Sequence, residues 1–150
     1  MLPTALADQL AEVAEMAEIW LCVLMDRKAP SLFGEWLRKP RVVALDEVPG
    51  FEETEEAGGY TALELRRLRQ LDLVIRGLSR TDAREEMFLA VEVSRTIDLE
   101  DVDRAIERSG LLARGGARTR AAVAGKSLTD RARLRSEETG TIVRLLDSVA

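Results

Sequence analysis

Apolar residues recur at Leu6, Leu10, Val13, Ala17, Trp20 and Leu24, in alternating steps of four and three. This a/d stripe of about two and a half heptads predicts a helix over 4–26. Its apolar surface widens at Ile19, Val23 and Met25, beyond one narrow seam. The helix either packs on its own domain or forms a seam with a second copy, and a homodimer through 1–28 is the expectation. Pro30-Ser31 opens a second short helix over 32–39, which Pro40 stops. The β-rich run 41–45 reads as a strand. The acidic, glycine-bearing stretch 49–59 has no periodicity and reads as a loop. Thr61 and Glu64 form a capping box ahead of Leu63, Leu65 and Leu68, predicting a helix over 62–69.

Two apolar runs follow, 71–76 and 87–94, separated by about ten turn-prone and charged residues, as in an antiparallel hairpin. The second is apolar almost throughout, which suggests burial on both faces. Asp98 heads a helix through Leu99, Val102, Ala105 and Ile106, closed by Gly110. A strand over 121–124, a helix over 127–138 and a strand over 141–146 complete the chain. This order describes an α/β protein, a mixed sheet with helices on both sides, and no internal repeat is visible. A length of 150 residues suits one such domain over 29–150 behind the N-terminal helix.

Composition removes many chemistries. There is no histidine, so histidine triads, histidine general bases and histidine-ligated zinc are excluded. Cys22 is the single cysteine, which permits no internal disulfide and no thiolate metal cluster. A reducing, cytoplasmic setting is the simpler expectation. The N-terminus is acidic where a secretory signal is basic, and no run reaches the ~18 apolar residues of a membrane span. The net charge of −5 hides an asymmetry. Residues 1–62 carry twelve acidic against five basic side chains, whereas 104–135 carry nine basic against two acidic. That basic stretch could meet nucleic-acid phosphates through Arg114, Arg118 and Arg120, or meet acidic surface on this chain or a partner. Gly115-Gly116 reads as a turn. The run ending Gly125-Lys126-Ser127 is no phosphate loop, because position 120 is Arg rather than Gly.

The chemistry that remains runs on carboxylates. Along a strand, Glu92 and Ser94 share one face, and pairing the hairpin strands brings Asp72 opposite Glu92. Two carboxylates in an apolar sheet are costly unless paired, hydrogen-bonded or metal-bound. Oxygen-only ligation points to Mg²⁺ or Mn²⁺.

Asp72, nineteen residues and then Glu92-Val93-Ser94, followed by helix and strand, resembles the PD-(D/E)XK nuclease core, with Ser94 where that motif has lysine. The runs 90–98, 101–105 and 123–125, with 31–34, 40–43 and 72–77, are similar to a bacterial branch of that superfamily that carries a helical N-terminal segment. The resemblance covers roughly residues 27–146. It implies a restriction-endonuclease-like αβββαβ core and metal-dependent hydrolysis of DNA phosphodiesters, or else an inactive copy that binds nucleic acid or a protein. It makes Asp72 and Glu92 metal ligands and Glu35 a third contact from the first core helix. Ser94 and Lys126 are left as candidates for the missing lysine's work, Lys126 because a parallel crossover puts it at the same sheet end as Glu92. For the homodimer, Leu10→Asp combined with Ala17→Asp should give monomers in sedimentation, and an unchanged dimer mass would exclude the N-terminal seam.

Overall fold

The computed structural model describes residues 23, 27–28, 31–82 and 85–146. The helix expected over 4–26, and the dimer contact placed on it, lie outside the described residues apart from residue 23. A five-stranded sheet is built from β1 (Leu37–Val43), β2 (Leu73–Ser79), β3 (Glu86–Val93), β5 (Thr119–Gly125) and β7 (Ile142–Leu145), in that spatial order. The first three strands form an antiparallel meander, and β5 and β7 join parallel to β3. Parallel neighbours need crossovers, supplied by α3 (Leu99–Leu112) between β3 and β5 and by α4 (Asp130–Thr139) between β5 and β7. Beyond the ends of β3 and β5, the short strands β4 (Thr96–Ile97) and β6 (Ser127–Leu128) pair in parallel as a second, small sheet.

The central strand β3 is buried along almost its whole length, as its apolar run predicts. Met87, Leu89, Val91 and Val93 pack on one face with Phe33, Leu37, Ile75, Ala122, Ala124 and Ile142. Phe88 lies on the other, with Val43, Val74, Leu68, Leu111 and Leu112. Val102 and Ala105 of α3 continue that layer over Val123. The α3 helix is set by a reciprocal cap, in which Asp98 accepts from the Asp101 backbone and Asp101 from that of Asp98. The predicted Thr61–Glu64 box caps α2 (Ala62–Arg69) in the same way.

Four local expectations are corrected. The helix over 32–39 is absent, because β1 already runs through 37–43 with Pro40 inside it. An edge strand with a bulge tolerates proline, and the register shifts between Arg38 and Arg41 around Lys39 at φ 51°. The acidic loop contains a short helix, α1 (Phe51–Glu56), anchored by buried Phe51. Gly110 does not close α3, which continues to Leu112. Ser127 and Leu128 are strand, and α4 starts after Thr129, whose hydroxyl accepts from the Ala132 backbone. Among the described residues no helix is long and apolar enough to cross a membrane.

Gly125 closes β5 where it meets the segment after β3. A Cβ there would collide with the Ser94 carbonyl oxygen and crowd Ile97. Gly125→Ala should therefore destabilise by about 1–3 kcal/mol, as overpacking does; an unchanged denaturant midpoint would show that this junction yields freely.

Candidate functional site

The hairpin register pairs Leu73 with Val91, so Asp72, one residue before β2, falls opposite Glu92 as the sequence implies. The ladder ends there, which frees the Val93 N–H on the β2 side. Asp72 takes it up, its Oδ2 accepting from Val93 N at 2.7 Å. Asp72 remains exposed, whereas Glu92 is 4% exposed beneath α3. The Asp72 carboxyl lies close enough to act on that of Glu92.

Arg108 completes the cluster. It sits on the inner side of α3, 6% exposed, and its Nη1 donates to Glu92 Oε1 and to the Gln70 carbonyl at 3.3 Å. From the sequence alone Arg108 is one member of the basic stretch 104–135. A signal was present: Val102, Ala105, Arg108 and Leu112 lie on one helical stripe, so Arg108 holds a core position of an amphipathic helix. Burial is the largest cause pushing the Glu92 carboxyl up to about 8, followed by the nearby Asp72 carboxyl. The charges of Arg108 and Arg104 act the other way without cancelling it. Near neutral pH the Glu92 carboxyl therefore favours its protonated form.

The other predicted residues are placed as follows. Ser94 turns to its own loop, its Oγ donating to the Thr96 carbonyl at 2.9 Å. Lys126 is exposed and does follow the sheet end that carries Glu92, since Glu92 pairs with Val123 in the parallel β3–β5 ladder. Glu35 does not join the acids. It is exposed in the turn before β1, and Leu37 pairs with Ser79 at the far end of β2 from Asp72. That separation is about 20 Å at ~3.3 Å per residue. Among the described residues no group of three or more His, Cys, Asp or Glu could hold a metal.

The basic trio is also away from the acids. Arg118 and Arg120 lie at the start of β5, about 17 and 10 Å respectively from the position paired with Glu92 at strand spacing. Arg114 forms a two-pronged pair with Glu64 at 2.8 and 2.6 Å, donates to the Gly59 carbonyl and sits over the Tyr60 ring. The Arg114 hydrogen bonds lower the Glu64 carboxyl to about 2. Arg118 pairs with Glu85, and Arg120 donates to the Gly140 carbonyl at 2.9 Å. The basic stretch thus meets acidic side chains and carbonyls of its own chain, although Arg118 and Arg120 keep exposed surface.

No family model matches the sequence, and no curated protein matches it. The structure is similar to the crystal structure of a repair endonuclease from Pyrococcus abyssi, with a TM-score of 0.51 and 18% sequence identity. The match covers 88% of this chain and 46% of the endonuclease, so the chain spans about half that protein's length. The fold is restriction-endonuclease-like: a mixed sheet flanked by helices, its antiparallel hairpin leading through a crossover helix to a parallel strand.

A carboxyl raised in the folded state contributes stability that is complete below its ordinary value of 4.5 and is lost as pH rises toward about 8. Glu92→Gln keeps the neutral shape of the acid. Its stability relative to wild type should therefore climb between pH 5 and 8 and level off above. A difference that stays flat across urea titrations at these pH values would show that Glu92 is ionised throughout.

Proposed function

We propose that this chain is a metal-dependent, nuclease-like protein of the PD-(D/E)XK type, acting on DNA phosphodiesters, with Asp72 and Glu92 as its Mg²⁺ or Mn²⁺ ligands. The observation that carries the reading is the meeting of these two acids across the β2–β3 hairpin, at one end of a restriction-endonuclease-like sheet. The donor set fits a hard cation, since Mg²⁺ is commonly held by one or two carboxylates while keeping several waters. Such an ion, when bound, polarises a phosphodiester and lowers the pKa of a bound water. The chain's own part is positional. Asp72 is oriented by the Val93 N–H at the solvent edge, and Glu92 is held behind it by Arg108. Ser94 brings no positive charge, and loss of such a group costs ~10²–10⁴-fold in rate. Lys126, exposed at the same sheet end, is the candidate to offset charge on a phosphate. Arg118 and Arg120 are candidates for phosphates farther along a strand, and the 1–28 helix for a homodimer.

A second reading is favoured by the Arg108–Glu92 pair and by the engagement of the Ser94 hydroxyl. It is an inactive copy of the fold that binds nucleic acid or a protein partner.

Calorimetry with Mn²⁺, together with a DNA cleavage assay, separates the two. The nuclease reading expects Mn²⁺ binding and slow metal-dependent cleavage, both abolished by Asp72→Ala and by Glu92→Gln in folded protein. Absence of Mn²⁺ binding with both acids intact would overturn it.

A further inference from the structure

Arg108 is the feature of this molecule whose placement is hardest to explain by packing. A guanidinium carried into the interior must satisfy its donors, and its buried Nε has no hydrogen-bond partner among the described residues. An apolar residue on the α3 stripe would avoid that cost. What the guanidinium gains is a pair of contacts from one nitrogen: Nη1 reaches Glu92 Oε1 on β3 and the carbonyl of Gln70, two residues before Asp72. Asp72 stands just before β2 and Glu92 on β3, and the Arg108 side chain hydrogen-bonds to both stretches. Arg108 makes no hydrogen bond to Asp72 itself; Asp72 accepts from the Val93 N–H.

We infer that Arg108 is a positioning residue that brackets the two acid-bearing stretches, fixing Glu92 directly and Asp72 through the Gln70 backbone. The inference rests on the metal-site reading above and extends it to a residue outside the ligand pair. Partners that orient a ligand from behind are commonly worth 10–100-fold in metal affinity. Arg108→Met keeps most of the side-chain bulk and removes both hydrogen bonds. Arg108→Lys retains a charged nitrogen able to reach either oxygen. Leu111→Ala, a buried change elsewhere on the same helix, serves as the control for general destabilisation.

Two readouts on the full chain test it. The first is Mn²⁺ affinity by calorimetry, expected 10–100-fold weaker in Arg108→Met, intermediate in Arg108→Lys and unchanged in Leu111→Ala. The second needs no metal: amide hydrogen exchange of Val93, whose N–H donates to Asp72, measured against Leu89 on the same strand. The Val93 to Leu89 ratio should rise at least tenfold in Arg108→Met and stay at the wild-type value in Leu111→Ala. Wild-type Mn²⁺ affinity in Arg108→Met, or an unchanged exchange ratio, overturns the inference. If the wild-type protein binds no Mn²⁺, the metal reading fails, and the exchange ratio still decides whether Arg108 positions the acids.

Discussion

The burial of the Glu92 carboxyl on the inner face of β3 is the constraint around which this end of the molecule is arranged. A carboxyl removed from water needs partners, and here they come from two elements: Asp72 before β2, and Arg108 with the longer-range charge of Arg104 on α3. Each depends on a different tertiary feature. Asp72 requires the hairpin register, Arg108 requires the crossover helix to lie across β3, and the Val93 N–H is available only because the β2 ladder stops at Leu73. Losing one partner of a buried charged cluster leaves the others uncompensated, which is why such clusters tie elements together even where their net stabilisation is small. The same concentration of acid, proton and guanidinium makes this end of the sheet chemically distinct from the apolar remainder.

Elsewhere, charge is distributed so that the basic and acidic parts of the chain meet. Arg114 with Glu64, Arg118 with Glu85 and Arg135 with Asp103 join segments far apart in sequence. Pairs this exposed to solvent contribute little to stability. Their effect is orientation: Arg114 pins the turn after α3 against Tyr60 and the start of α2, while the Tyr60 hydroxyl donates to the Leu111 carbonyl at 2.8 Å. The positive stretch that looks, in one dimension, like a continuous phosphate surface is therefore divided. Part of it neutralises the protein's own acids, Arg120 lies toward the sheet end away from Asp72, and Lys126 follows the end that carries Glu92.

Much of the architecture was legible from local patterns, because those patterns act locally. The Thr61–Glu64 box, Asp98 as a helix cap and the unbroken apolar run of β3 each report interactions within a few residues or burial along one strand. The pairing of Asp72 with Glu92 was legible for a similar reason: alternation along a strand and a short hairpin leave little freedom in register. Pro40 misled because proline stops helices, and only its place in a bulged edge strand makes it compatible with β1. Phe51 gave no periodic signal in its acidic surroundings, and α1 forms because that ring has an apolar layer to enter.

The amino-acid sequence by itself determined the mixed α/β class, the order of the five main-sheet strands with their two crossover helices, and an acidic pair with no histidine or thiol chemistry beside it. Only the tertiary structure decided which other groups meet that pair. It set Glu35 at the opposite end of the sheet, turned Ser94 into its own loop, gave Arg114 to Glu64, and brought Arg108 from α3 onto Glu92. The physical reason is range. Caps, strand alternation and hairpin register are settled by neighbours in the chain, whereas the partner of a buried charge is whichever side chain the packing of distant elements delivers to it.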